Sequence, residues 1–121
     1  MNSKFYVSLE AARLLKEKRY NEECECAIDE DSDIYVCEYR MNQDLPEWKW
    51  SCPTKAEAID WLEGKGIIIG VKPYTVISFS YFILIDRKSS YDVIETNECF
   101  LTRLEAEDAA IIKALELYDS N

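Results

Sequence analysis

Two segments, Thr54-Lys55-Ala56-Glu57 and Thr102-Arg103-Leu104-Glu105, constrain this chain more than anything else in it. Each has the pattern of a capping box, in which a threonine and a glutamate three residues later satisfy each other's free backbone amides at a helix start. After Thr54, the apolar side Ala58, Ile59, Trp61 and Leu62 predicts a helix that Gly64 and Gly66 end. After Thr102, Leu104, Ile111, Ile112, Leu115 and Tyr118 form a stripe on a helix of about four turns, with Glu105, Glu107 and Asp108 near its positive end. An earlier helix is predicted from Ser8 as cap. There Leu9, Ala11, Ala12, Leu14 and Leu15 oppose Glu10, Arg13 and Glu17, cationic Lys16, Lys18 and Arg19 occupy the last turn, and Asn21 is the stop.

Between these helices the apolar pattern changes to that of strands. Cys24 to Ile28 and Ile34 to Tyr39 flank the acidic Asp29-Glu30-Asp31-Ser32-Asp33, a composition suited to a hairpin turn. With Asp31-Ser32 as central residues, Cys26 lies opposite Cys37. Cys24, Cys26, Ile28, Tyr35, Cys37 and Tyr39 then share one face, and Glu25 and Glu38 the other. Met41 to Glu47 reads as a loop, and Trp48 to Cys52 as a third strand aiming Trp48, Trp50 and Cys52 one way. Ile67 to Val71 and Val76 to Ile85 are β-rich runs separated by a turn at Lys72-Pro73-Tyr74, and Arg87-Lys88-Ser89-Ser90 turns into a last strand, Tyr91 to Thr96.

The sum is an α+β, two-layer architecture of five or six largely antiparallel strands with three helices, and 121 residues suffice for one domain, 1–121. The likeness of Thr54–Ala58 to Thr102–Ala106 leaves open two similar strand-strand-helix halves, although the plainer reading is that both are good helix starts.

Charge and cysteine usage narrow the function classes. Twenty-four acidic against fourteen basic residues leave a net charge of −10, which opposes direct binding to nucleic acid or anionic membranes and favours a basic protein as partner. The longest apolar run, Val76 to Ile85, is far short of the roughly 20 residues of a membrane-spanning helix. No secretory pattern follows Lys4, so a cytoplasmic location with reduced thiols is expected for the odd set Cys24, Cys26, Cys37, Cys52 and Cys99.

Histidine is absent, and with it every Ser-His, Cys-His and zinc-protease constellation. The cysteines lack a Cys-x-x-Cys knuckle, so buried packing is the stronger reading for them than zinc or redox work. Asp29-x-Asp31-x-Asp33 copies the start of a calcium loop, but Ile34 replaces its glycine and Arg40 its bidentate acid, so an EF-hand is rejected in favour of a solvated turn. Trp48, Trp50 and Trp61 are read as core. No catalytic residue, metal site or cofactor is assigned.

Three stretches carry a resemblance: Tyr6-Val7-Ser8-Leu9-Glu10-Ala11-Ala12 with Leu14-Leu15-Lys16-Glu17, Trp50-Ser51-Cys52-Pro53-Thr54 with Trp61-Leu62, and the Glu-Ala-rich Thr102 to Leu117. In them the chain resembles short proteins of unknown function from phages and mobile elements of gut bacteria. Such proteins have a glycine where the first helix ends, a place Arg19 takes here. The resemblance implies a small intracellular α+β protein and brings no catalytic residues.

The function expected is therefore that of a non-catalytic accessory or protein-interaction protein. The alternatives are an acidic mimic of nucleic acid that inhibits a basic protein, and a small enzyme or thiol-metal protein. The candidate binding residues are Glu22, Glu23, Glu25, Asp29, Glu30, Asp31 and Asp33, seven carboxylates within twelve residues that include no Lys or Arg. A hairpin is expected to gather much of this charge into a negative pole that steers a basic partner.

Overall fold

The computed structural model describes residues 3–118, the side chain of Tyr39 excepted. The Ser8 hydroxyl starts α1 (Leu9–Glu17) by accepting the Ala11 amide at 3.3 Å, and the helix turns Ala11, Ala12 and Leu15 inward. It is capped at Lys18, short of Asn21. Arg19 follows with φ of 68°. That left-handed conformation suits glycine and costs an arginine about 1 kcal/mol or more. Lys16 does more than complement the dipole: its ammonium donates to the carbonyls of Pro46 and Lys49 at 3.1 and 2.9 Å, tying the helix to the chain ahead of the third strand.

The first hairpin forms from β1 (Cys24–Asp29) and β2 (Ile34–Arg40), but its register differs from the one expected. Asp29 N donates to Asp33 O at 3.2 Å, which closes a loop of Glu30, Asp31 and Ser32 in which Ser32 has φ of 66°. A three-residue loop ending in a left-handed residue replaces the two-residue turn and shifts the pairing by one. Cys26 accordingly faces Val36, not Cys37. Further along, Cys24 pairs with Arg40, and Glu38 at φ of 57° absorbs the extra length of β2 as a bulge. The expected common face of six side chains is thereby broken up. Cys26 and Ile28 enter the core and Ile34 packs against it, while Cys37 is buried apart from that cluster. The facing of Tyr39 lies outside the described residues.

The short β3 (Lys49–Ser51) lies antiparallel to β1, giving the sheet order β2-β1-β3. Trp50 and Trp61 pack against the core as expected, but Trp48 precedes the strand and is 52% exposed, with the Lys49 ammonium 4.6 Å from its ring centre. The capping box of α2 (Lys55–Gly64) is complete, with Thr54 N donating to the Glu57 carboxylate at 2.9 Å and Glu57 N to the Thr54 hydroxyl at 3.2 Å. Gly66, at φ of 86°, then redirects the chain.

The second sheet runs in the order β4 (Ile67–Thr75), β5 (Ser78–Asp86), β6 (Tyr91–Glu95). Its first turn is at Val76-Ile77, not at Lys72-Pro73-Tyr74, which continue β4 as far as Thr75 opposite Ser78. Proline is tolerated there because β4 is an edge strand, where a missing amide need not cost a ladder hydrogen bond. For α3 (Arg103–Leu117) the Thr102 hydroxyl accepts the Glu105 amide at 3.1 Å, but among the described residues the Glu105 carboxylate makes no return bond, so this box is half formed.

The protein is thus α+β, with three α-helices and two three-stranded antiparallel sheets. Each half supplies three strands and then a helix, yet the central strand is the first of its three in one sheet and the second in the other. Ala106, Ala110 and Ala114, one turn apart and fully buried, let α3 lie close on β4 and β5. Ile111 and Leu115 beside them meet Ile67, Tyr81 and Ile83 in one core that also takes in α1, α2 and β1. Among the described residues no helix is long and apolar enough to cross a membrane.

Candidate functional site

The starts of all three helices and the acidic hairpin meet around a single groove of about 540 Å³. Its position follows from how the N-terminal segment is held. Tyr6 forms an isolated bridge with Thr54, Val7 N donates to Pro53 O at 3.1 Å, and Ser8 N donates to the Asp108 carboxylate at 2.9 Å. These bonds pin the start of α1 between α2 and α3. The apolar part of the lining comes from Leu9 on α1, Ile28 and Ile34 of the hairpin, Phe100, and Ala109 and Ile112 on α3. A volume of this size, largely apolar with a few convergent polar groups, has the character of a binding site.

Charge on the groove is uneven. Among the described residues Lys55 is the one cation that lines it; the residue is only 7% exposed, and its ammonium donates to Lys4 O at 2.6 Å. The carboxylates of Glu105 and Asp108 oppose it. One Asp108 oxygen is engaged by Ser8, whereas Glu105 is exposed and its carboxylate has no partner among the described residues. Ser32 also lines the groove, which brings the acidic β1–β2 turn to its mouth. Tyr6, at the other side, hydrogen-bonds to Cys26. That bond and the charge of Cys26, followed by burial and by Glu25, push its phenol up to about 12.

The seven acids expected to act together divide in the structure. Asp29, Glu30, Asp31 and Asp33 gather at the turn, with carboxylate oxygens of Asp29, Asp31 and Asp33 within 4.8 Å of one another. Asp29 is engaged in holding the turn, since its Oδ1 accepts the amides of Asp31 and Asp33 at 2.9 and 3.1 Å. Glu25 projects from the start of β1, and Glu22 and Glu23 precede that strand, about 20 Å from the turn at the rise of an extended chain.

Among the described residues no three thiols lie within 4.8 Å of one another. Burial pushes Cys24 up to about 11 and Cys52 up to about 12, and raises Cys26 as well. Cys37 donates to Cys24 O at 3.0 Å and Cys52 to Val7 O at 3.4 Å, as packed thiols do. Cys99 alone is exposed.

Lys55, Asp108 and Phe100 were not among the candidates read from the sequence. Lys55 did leave a local signal: a cation in the first turn of a helix faces the positive end of the dipole, which marks a tertiary reason for its presence. Asp108 left none, because an acid near a helix start is ordinary. No family model, curated protein or solved structure matches the chain.

Proposed function

We propose that this chain is a non-catalytic protein-interaction module whose groove receives a basic segment of a partner protein, anchored by one large apolar side chain. The observation that carries this reading is the pairing of an apolar groove with acids on two of its sides, the β1–β2 turn and the start of α3. The apolar residue of the partner would cover Leu9, Ile34 and Ile112, while neighbouring lysines or arginines approach Asp31, Asp33 and Glu105. The nucleic-acid mimic is less favoured, because the acids are split between the two ends of β1 and the groove between helices and hairpin is apolar.

The test uses two sets of short synthetic peptides, each with one leucine or phenylalanine, flanked by lysines in one set and by glutamates in the other. The lysine set is expected to shift the methyl resonances of Leu9, Ile34 and Ile112, and to bind more weakly as salt shortens the Debye length from ~10 Å at 0.1 M to ~3 Å at 1 M. D31N, D33N and E105Q should each weaken binding about two- to fivefold with the melting temperature unchanged, as rim charges do. Equal binding of the glutamate set, or shifts confined to another surface, would overturn the proposal.

A further inference from the structure

The second sheet shows its outer face to solvent. Alternation along the strands sends Ile67, Ile69, Tyr81, Ile83, Ile85 and Ile94 toward the helices, and these belong to the core or pack against it. The alternate positions face the other way. Ile68, Leu84 and Val93 pair directly across all three strands as one apolar row, and Phe82 and Tyr91 flank it. None of these five belongs to the core or its packed shell, and Val93 and Tyr91 are 62% and 54% exposed. Phe82 lies flat across Gly70, where any Cβ would collide with its ring, so the middle of the face is smooth. Beside the ring stands the only charge pair on the face among the described residues, Lys72 to Glu95 at 2.9 Å, with Lys72 on β4 and Glu95 on β6.

We propose that this face binds the same face of a second copy of the chain, forming a two-fold dimer with its axis parallel to β5. Sheets stacked face to face lie about 10 Å apart with their strands nearly aligned. Such an axis sets β4 of one copy over β6 of the other. Ile68 then meets the other copy's Val93, Leu84 meets Leu84, Phe82 meets Phe82, and each Lys72 comes within reach of the Glu95 across the interface. The charge arrangement selects this occupant: apart from Asp86 at the exposed end beside Tyr91, the face of a chain of net charge −10 carries one balanced pair, Lys72 and Glu95, placed to complement itself under that rotation. Strand rise and spacing give a footprint on the order of 400 Å² per copy, about half of the ~800 Å² typical of a stable complex, which makes the dimer reversible. The inference is independent of the groove, which lies among the helix starts.

The test is sedimentation of the full chain from about 5 µM to about 500 µM, the range in which an interface of this size associates. The weight-average mass should rise from 14.1 kDa toward twice that value. V93E, at an exposed position, should weaken association at least tenfold without changing the melting temperature. K72E and E95K should each weaken it too. An equimolar mixture of the K72E and E95K chains should associate more tightly than either alone, because opposite charges then face each other only across the interface. A purely internal role for the Lys72–Glu95 pair would give no such recovery. A constant mass of one chain for the wild type, an unaffected V93E, or a mixture no heavier than its components would overturn the proposal. None of these results bears on peptide binding in the groove.

Discussion

Replacing Asn42 with alanine tests how the first half of the chain is held together. Asn42 is 4% exposed and spans two elements: its Nδ2 donates to Tyr20 O at 2.8 Å, and its Oδ1 accepts Ser51 N at 2.8 Å. Ser51 belongs to β3, an edge strand, and this amide points away from β1, so the ladder does not satisfy it. Asn42→Ala leaves one donor and one acceptor buried without partners, at about 1–3 kcal/mol each. The expected loss is about 2–6 kcal/mol, a fall in melting temperature on the order of 10–20 °C for a chain of this size. The neighbouring Ser51 hydroxyl supplies the contrast. It is fully buried and has no hydrogen-bond partner among the described residues, so Ser51→Ala removes an unsatisfied group and should leave stability unchanged or raise it. Thermal melts followed by circular dichroism read both variants. Melting of Asn42→Ala within about 2 °C of the wild type would refute the reasoning. So would a loss in Ser51→Ala as large as that in Asn42→Ala.

Ile111→Asp and Leu115→Asp each place an unpaired carboxylate at a fully buried position of α3, and each should cost more than about 4 kcal/mol, visible as a collapsed urea midpoint. A thiol reagent at neutral pH should modify Cys99 at once and the four buried cysteines only after unfolding; a second fast thiol would contradict the packing described. Cys24 and Cys52 are raised from 9.0 in the folded protein, so the fold favours their protonated forms. Their contribution is fully present below about pH 9 and is lost as pH climbs through about 11 and 12, so urea midpoints should hold to about pH 9 and fall above it.

Much of the architecture was legible because its signals are local. A hydroxyl and an acid three residues apart, or a stripe repeating every three to four residues, acts within one or two turns of chain, and Ser8, Thr54 and Thr102 all start helices for that reason. Alternating and β-branched runs likewise placed six strands. Failures came wherever a neighbour in space decided the outcome. Pro73 marks a turn by composition, yet it continues a strand because β4 lies at an edge. The partner of Cys26 depended on one left-handed residue, Ser32, whose loop shifts the whole ladder.

The candidate groove belongs wholly to this second class. Glu105 could be read as half of a capping box, Lys55 as a helix-start residue, and the acids of 29–33 as a turn, each from its own neighbourhood. That they border one apolar groove is decided by contacts between residues far apart in sequence, such as Ser8 with Asp108 and Lys4 with Lys55. The sequence by itself determined where the three helices start and that six strand segments lie between them, because backbone capping and side-chain periodicity act over a few residues. Tertiary structure alone decided which charges share a site and which apolar face stays open, because burial and pairing depend on what the rest of the chain places opposite them.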